Sequence, residues 1–166
     1  MKTLLIIRHA KSSWDNVGMA DIDRSLNDRG KKDAPVMARR LIKAGIVIDR
    51  FVSSPAKRAR HTAELFAREF GQKDKDIVII PDLYHATPPV FRQVVTDLND
   101  KDDTVALFSH NPGITAFVNT MRSVRLDNMP TCAVFAVNCA TGHWSEFLSG
   151  DPEFLFFDYP KSAASD

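Results

Sequence analysis

The sequence predicts an α/β fold, a three-layer sandwich whose central sheet is largely parallel. Short apolar runs alternate along the chain with segments whose apolar residues recur at helical spacing, as in successive β-α-β units. The run Leu4–Ile7 is apolar at every position, which is typical of a strand buried on both faces of a parallel sheet. The length of 166 residues suits one domain, which we assign to residues 1–161, followed by a polar tail at 162–166.

The first strand ends in Arg8-His9 and is followed by a polar loop over residues 13–25 without either regular period. Asn27 is a candidate helix cap. The helix after it should end before Gly45, and Pro35 should kink or delay it. Its predicted buried face consists of Ala34, Met37, Ala38, Leu41 and Ile42.

A second strand is predicted within residues 46–53. Ser54-Pro55 resembles a cap followed by proline at the first helical position, so the next helix should begin there. Arg58 then lies in its first turn, near the end of the second strand. The predicted buried face of this helix consists of Ala59, Ala63, Phe66, Ala67 and Phe70.

The second half of the chain repeats the alternation. A third strand is predicted at 77–80, and Thr87-Pro88-Pro89 should open a helix. The apolar strand at 104–108 leads into Ser109-His110, and Asn111-Pro112 should cap a further helix. Residues 132–137 and 144–148 are predicted to form a hairpin, followed by an apolar segment at 154–157.

Composition excludes several classes of protein. The 22 basic and 21 acidic residues give a formal net charge of +1, so no strong field would attract nucleic acid or an anionic membrane. No apolar run approaches the length of a membrane span. Cys132 and Cys139 lack the spacing of a zinc site and are expected to be buried free thiols. Together with the lack of a signal-peptide pattern, they favour a reducing cytoplasm.

Four motifs occur in a family-specific order: Arg8-His9-Ala10, residues 23–30, residues 53–62, and residues 109–112. This order resembles the histidine phosphatase superfamily, whose fold is phosphoglycerate mutase-like. The local form Arg-His-Ala-Lys-Ser-Ser at residues 8–13 is similar to the SixA-type phosphohistidine phosphatases of that superfamily. One such motif is weak evidence, but four in order are strong.

The resemblance implies that His9 is the nucleophile and that Arg8, Arg58 and His110 form a phosphate pocket. The residue chemistry fits these roles. A neutral imidazole can attack phosphorus and form a covalent intermediate. Guanidinium groups match phosphate oxygens in geometry and remain charged. Positive neighbours should also disfavour protonation of His9.

The sequence leaves three possibilities for the proton donor. Many members of the superfamily carry a glutamate after the third strand, and the equivalent position here is His85. His85 could donate a proton, Asp82 is an alternative, or neither is needed and His85 only lines the mouth of the pocket. Lys11, Ser12 and Ser13 are candidate substrate contacts.

The sequence therefore predicts a cytoplasmic phosphatase without a cofactor or metal, acting on phosphohistidine in a protein such as a histidine phosphotransfer domain. Neither nucleic acid nor a membrane is an expected partner. The chain has no room for long insertions that would enclose a small substrate. The alternatives are a phosphatase for small phosphomonoesters and, from another class, a silent module that binds phosphorylated proteins. The intact His9 argues against the silent module.

Overall fold

A computed structural model describes residues 1–121 and 125–162. The strands are β1 (Lys2–Arg8), β2 (Arg50–Ser53), β3 (Val78–Ile79), β4 (Thr104–Ser109), β5 (Val134–Cys139) and β6 (Glu153–Asp158). The helices are α1 (Asp28–Lys43), α2 (Lys57–Glu69), α3 (Pro88–Thr96) and α4 (Gly113–Val118). From residue 163 onward, the predicted polar tail lies outside the described residues.

The six strands form one sheet in the order β3-β2-β4-β1-β5-β6. Strands β1 to β4 are paired in parallel, whereas β5 and β6 are antiparallel. Helices flank both faces of this sheet. The predicted fold class, an α/β sandwich with a largely parallel sheet, is confirmed.

Strand β1 contributes to the core on both sides of the sheet. Leu5 and Ile7 pack into the cluster that contains residues of α1 and α2. Leu4 and Ile6 pack into the other cluster, which contains residues of α3 and α4. All four side chains are fully buried. Since successive side chains of a strand point to opposite faces, only an unbroken apolar run can serve two such layers.

The parallel register brings the carboxyl ends of β1, β2 and β4 to one edge of the sheet. Arg8 is paired with Ser109, and Ser53 is paired with Phe108. His9, Ser54 and His110 follow directly after these strands. The ends of parallel strands are where α/β folds usually bind ligands.

Helix α1 begins as predicted. The Asn27 side chain accepts a hydrogen bond from the Gly30 N–H, and the helix continues through Pro35 to Lys43. Pro35 therefore does not delay the helix. Ile42 was expected on the buried face but is 41% exposed, because it lies at the margin of the apolar stripe in the last turn.

The predicted start of α2 at Ser54-Pro55 is wrong. The helix begins at Lys57, and Ala56 occupies the cap position without a side-chain hydrogen bond. The Ser54 N–H still donates to the Phe108 carbonyl of β4, at 3.0 Å, so the chain remains tied to the sheet at this point. Arg58 nevertheless lies in the first turn of α2, as predicted.

The predicted hairpin between residues 132–137 and 144–148 is also wrong. The antiparallel partner of β5 is β6, while Trp144–Glu146 form a short 3-10 helix. The buried Trp144 indole N–H donates to the Asp102 carbonyl, at 2.8 Å, and fixes this segment beside the β4 end of the sheet. Cys132 and Cys139 are buried free thiols, as expected.

The predicted strand at 77–80 is reduced to two exposed residues at the sheet edge, Val78 and Ile79. The longest helix, α1, has 16 residues. Within residues 1–121 and 125–162, no helix has both the length and the apolar character needed to cross a bilayer.

Candidate active site

Residues after β1 and β4 and the first turn of α2 surround a cavity of about 310 Å³ at the carboxyl edge of the sheet. The lining includes every site residue predicted from the sequence except Ser13: Arg8, His9, Lys11, Ser12, Arg58, His85 and His110. The rings of His9 and His110 are neighbours, with centroids 5.2 Å apart. The structure thus brings together residues as distant in the chain as Arg8 and His110.

The contacts of His9 determine which ring nitrogen can react. Its Nδ1 lies 2.7 Å from the Ala10 carbonyl oxygen. A carbonyl oxygen can only accept, so Nδ1 carries the hydrogen and the neutral ring has its lone pair on Nε2. Burial lowers the pKa of His9 from 6.5 to about 3, against the raising effect of the Ala10 hydrogen bond, and Arg58, Arg8 and Arg24 lower it further. His9 is therefore neutral at physiological pH.

Arg8 and Arg58 are each held by one part of the guanidinium group. Arg8 Nη1 donates to the Met129 carbonyl at 2.8 Å, and Arg58 uses both terminal nitrogens to bind Asp21. The Nε atoms of both arginines are buried without a hydrogen-bond partner in the described part of the chain. Burial, and then the charge of Arg58, lower the pKa of Arg8, but a guanidinium remains charged in proteins.

His110 presents a similar donor. Its Nε2 lies 2.7 Å from Ser54 Oγ, which also accepts a hydrogen bond from the Ala56 N–H. In the tautomer in which the Ser54 hydroxyl donates to Nε2, the ring proton of neutral His110 lies on Nδ1. Burial lowers the pKa of His110 to about 2, with further contributions from His9 and Arg58. Nδ1 is buried and has no partner among the described residues.

With His110 in this tautomer, three donors without a partner among the described residues, Arg8 Nε, Arg58 Nε and His110 Nδ1, belong to side chains around one cavity. A buried donor without a partner costs on the order of 1–3 kcal/mol, so such groups need a structural or functional explanation. An anion with several oxygens, such as a phosphoryl group, would accept hydrogen bonds from all three. The cavity has the chemistry of an anion site beside a neutral imidazole.

Sequence reasoning missed a group of side chains from the loop between β1 and α1. Arg24 stacks on the Trp14 ring at 3.4 Å, donates to the Asp21 carboxylate at 2.9 Å, and also donates to Ser12 Oγ. Trp14, Asp21 and Arg24 all line the cavity. The available signal was the position of Arg24 inside the motif at residues 23–30 and its spacing of three from Asp21.

The two candidate proton donors lie in different places. His85 is exposed at the cavity, has a left-handed backbone with φ of 56°, and packs against the Tyr84 ring with centroids 3.9 Å apart. Asp82 is exposed and lines a separate, larger cavity of about 700 Å³ between β3 and α3. Asp82 is therefore absent from the lining around His9.

The candidate substrate contacts also differ. Lys11 and Ser12 line the cavity, with Lys11 exposed and Ser12 buried. Ser13 lies outside it and lines the adjoining cavity formed by the loop. Its hydroxyl accepts a hydrogen bond from the Asp15 N–H at 3.1 Å. Among the residues that the structure describes, no group of three or more metal-ligating side chains is arranged to hold a metal ion.

Residues 4–85, which include Arg8, His9 and Arg58, match the family model of the histidine phosphatase superfamily, branch 1. Over this segment, just under half of the chain, the sequence has the pattern of that superfamily. Three of the four ordered motifs lie within the matched segment, and the match supports a phosphatase that uses a histidine. His110 lies beyond the matched segment, so its assignment to the site depends on the structure.

The curated relatives of the chain are distant in sequence. An uncharacterised chloroplast protein of Arabidopsis thaliana is 26% identical over 153 residues, which cover 87% of this chain and 70% of the relative. An uncharacterised protein of Mycobacterium tuberculosis is 25% identical over 170 residues, which cover 93% of this chain and all of the relative. A phosphoglycerate mutase of Bradyrhizobium diazoefficiens is 34% identical over 74 residues, but these cover 43% of this chain and 36% of the relative.

Solved structures share the fold over nearly the whole chain. A SixA protein of Agrobacterium tumefaciens, assigned as a phosphohistidine phosphatase, superimposes with a TM-score of 0.80 at 24% identity, covering 96% of this chain and 98% of its own. The protein histidine phosphatase SixA in complex with tungstate gives a TM-score of 0.80 at 22% identity, covering 95% and 97%. The fold of the chain is thus phosphoglycerate mutase-like, in its SixA-like form.

Proposed function

We propose that the protein is a phosphohistidine phosphatase in which His9 accepts the phosphoryl group and water then removes it. The observation that carries this proposal is the neutral His9, with its lone pair on Nε2, beside three buried nitrogens, Arg8 Nε, Arg58 Nε and His110 Nδ1, that have no partner in the described part of the chain. The SixA-like fold supports the same reading. The tungstate bound by one fold neighbour is an anion of similar shape and charge to phosphate.

In the first step, the lone pair of His9 Nε2 forms a bond to phosphorus while the bond from phosphorus to the leaving group breaks. The pair of that broken bond stays with the leaving group. Throughout, the hydrogen on Nδ1 remains bonded to the Ala10 carbonyl and stabilises the cationic ring that forms. The donors of Arg8, Arg58 and His110 bind the equatorial oxygens, whose charge must be stabilised in the transition state.

In the second step, water attacks phosphorus and its proton passes to a phosphate oxygen or to solvent, while the P–Nε2 bond breaks so that its pair returns to His9. The products are inorganic phosphate and the neutral imidazole of the resting enzyme. The reaction needs no metal in this scheme, because the arginines supply the positive charge. We therefore infer metal-independent hydrolysis.

The proposed substrate is a phosphohistidine carried by another protein, such as a histidine phosphotransfer domain. The wall of the cavity includes exposed residues, among them Lys11, Trp14 and His85, so the site opens to the surface. A side chain presented by a partner could enter from that side. We place this activity in the cytoplasm, a reducing compartment in which free thiols such as that of Cys132 persist. We propose signal transduction as the process that it serves.

A second candidate is a phosphatase for small phosphomonoesters. The cavity of about 310 Å³ is large enough for a phosphoryl group with a small leaving group. Both candidates use the same nucleophile and the same donors, so they differ only in the leaving group. A comparison of kcat/KM for phosphohistidine and for alkyl phosphates separates the two candidates.

Rapid quench during turnover tests the mechanism. The wild-type protein should accumulate a phosphoenzyme that is stable to alkali and labile to acid, as expected for a P–N bond. His9→Ala should give no phosphoenzyme and no turnover while keeping its circular dichroism spectrum, since His9 follows β1 and lies outside both core clusters. Ordinary phosphatase activity in a folded His9→Ala protein would contradict the covalent mechanism.

A further inference from the structure

Asp21 joins three parts of the molecule on the wall of the candidate active site. It lies on a short 3-10 turn, Asp21–Asp23, in the loop between β1 and α1. Its Oδ2 accepts hydrogen bonds from the Tyr84 hydroxyl at 2.6 Å and from Arg58 Nη2 at 3.0 Å. Its Oδ1 accepts one from Arg24 Nη1 at 2.9 Å. The carboxylate is therefore fixed in place beside the phosphate-binding groups.

Asp21 binds one particular edge of the Arg58 guanidinium group. Arg58 Nη1 donates to the Asp21 backbone carbonyl at 2.7 Å, and Nη2 donates to the carboxylate. These bonds use the terminal edge of the guanidinium group. The other edge, which consists of Nε and the second hydrogen of Nη2, remains for a ligand, and Nε has no partner among the described residues. Asp21 thus orients Arg58 without occupying its phosphate-binding edge.

Asp21 also places a permanent negative charge at the site. The hydrogen bond from Tyr84, followed by those from Arg58 and Arg24, holds the pKa of Asp21 well below its usual range. The group is therefore a carboxylate near neutral pH and has no proton to donate. Its charge reaches the catalytic residues, because it raises the pKa of His110 against the lowering effect of burial.

This charge distinguishes between two kinds of substrate. A phosphate ester brings close to two negative charges at neutral pH, and the Asp21 carboxylate repels them. A phosphohistidine that is protonated on its second ring nitrogen carries a positive charge next to the phosphoryl group. The same carboxylate attracts that ring, and protonation is also what allows the ring to depart as neutral imidazole.

We propose that Asp21 is a specificity-determining residue, which orients Arg58 and favours a phosphoryl group attached to a cationic heterocycle over a phosphate ester. The inference rests on the proposed function, for which Asp21 would select the class of substrate. In the first step the P–N bond breaks, its pair goes to the departing nitrogen, and the ring keeps the proton on its other nitrogen. Asp21 gains and loses no proton.

The test compares Asp21→Asn with a control, Asp23→Asn. The control removes the same charge two positions further along the chain, where the Asp23 side chain is exposed and lies outside the cavity lining. Asp21→Asn retains an oxygen acceptor and the backbone contact to Arg58. Its ratio of kcat/KM for a phosphohistidine peptide over p-nitrophenyl phosphate should fall roughly tenfold, as expected for the loss of one nearby charge. Asp23→Asn should keep the wild-type ratio. An equal loss for both substrates in Asp21→Asn would reduce Asp21 to a support for Arg58 and overturn the proposal.

Titration with tungstate measures the charge effect without catalysis. Asp21→Asn should bind this dianion several-fold more tightly than the wild type by calorimetry, because the repulsion is removed. Unchanged or weaker binding would overturn the proposal. If the wild type hydrolyses neither substrate but Asp21→Asn still binds tungstate more tightly, then the proposed function fails while the electrostatic role of Asp21 stands.

Discussion

At the residue scale, His9 and His110 combine burial with a neutral ring, and this links the site to the stability of the protein. Burial is the main reason why the pKa of each ring is lowered, to about 3 for His9 and about 2 for His110. In the unfolded chain both rings would take up a proton near pH 6.5. The burial that keeps these rings neutral therefore lowers the free energy of unfolding at acid pH.

The sign of this linkage follows from proton uptake. Between pH 6.5 and about 3 the unfolded state binds a proton that folded His9 does not, so the free energy of unfolding falls as the pH is lowered. His9→Gln should remove this dependence. Between pH 6.5 and 5 its loss of unfolding free energy in urea should be about 2 kcal/mol smaller than that of the wild type. An identical loss in both proteins would show that His9 takes up a proton in the folded state.

His143 serves as a control of opposite sign. Its side chain is exposed, and its hydrogen bond to Asp100 raises its pKa. The stability it contributes is present below the unfolded pKa and is lost as the pH rises through the folded value. His143→Gln should therefore lose more unfolding free energy than the wild type on acidification, whereas His9→Gln loses less.

Arg58 binds Asp21 through one edge of its guanidinium group, while Nε on the other edge has no partner among the described residues, and this predicts which substitutions fail. Arg58→Ala should lower kcat/KM by a free energy of about 3 kcal/mol, similar to other single donors to a transition-state oxyanion. Arg58→Lys should not restore activity, because an ammonium group cannot hold Asp21 and also present a planar edge to phosphate. Arg60→Ala, an exposed change on the same helix, is the matched control. Full activity in Arg58→Lys would mean that charge alone is sufficient.

At the element scale, the sequence predicts best where one pattern has one physical cause. The run Leu4–Ile7 must fill both layers of the core, and the N-cap at Asn27 and the position of Arg58 in α2 follow from local chemistry. The start of α2 and the partner of β5 depend on tertiary contacts. Ser54 is held by β4 and Trp144 by the Asp102 carbonyl, and neither contact leaves a periodic signal.

The candidate site shows the same division. Motif order grouped Arg8, His9, Arg58 and His110 as candidate site residues, and the fold brings all four to the lining of one cavity. Asp21 could not be identified, because its importance comes from three hydrogen bonds to side chains distant from one another in the sequence. A lone aspartate in a polar loop is usually a solvated group.

Gly30 fixes how closely α1 approaches the loop after β1. A Cβ atom at Gly30 would collide with the Lys11 backbone carbonyl, which also accepts the Asn27 N–H at 3.0 Å. Gly30→Ala should destabilise the protein by about 1–3 kcal/mol in urea unfolding, even though alanine favours helices. Gly142→Ala is the control, since its added Cβ would meet no atom within 4 Å. Equal stability of the two variants would show that the loop yields without cost.

At the scale of the whole molecule, the fold brings Arg8, Arg58 and the proposed nucleophile His9 to one cavity. Of the two candidate proton donors, only His85 lines that cavity. His85 occupies the position where many superfamily members carry a glutamate, and it lies exposed at the cavity beside Tyr84. Asp82 lines a different cavity. The cavity around His9 is therefore best suited to leaving groups that need little protonation as they depart.

This arrangement predicts the order of substrates. An alkoxide is strongly basic, so an alkyl phosphate requires a proton in the transition state, whereas protonated phosphohistidine leaves as neutral imidazole with a conjugate-acid pKa of roughly 6.5. Phosphohistidine, phosphoramidate and activated aryl phosphates should therefore give much higher kcat/KM than serine phosphate or sugar phosphates.

His85→Ala should lower kcat/KM for alkyl esters more than for phosphohistidine, because only the ester requires a proton donor. His143→Ala, outside the cavity lining, should affect neither substrate and is the control. Initial rates for both substrates in the three proteins measure this difference. Since transfer between two imidazoles is nearly balanced in energy, positioning and charge stabilisation are the main tasks left to the protein, and the described site supplies groups for both. If alkyl esters prove to be the better substrates of the wild type, the small-molecule phosphatase replaces the phosphohistidine phosphatase.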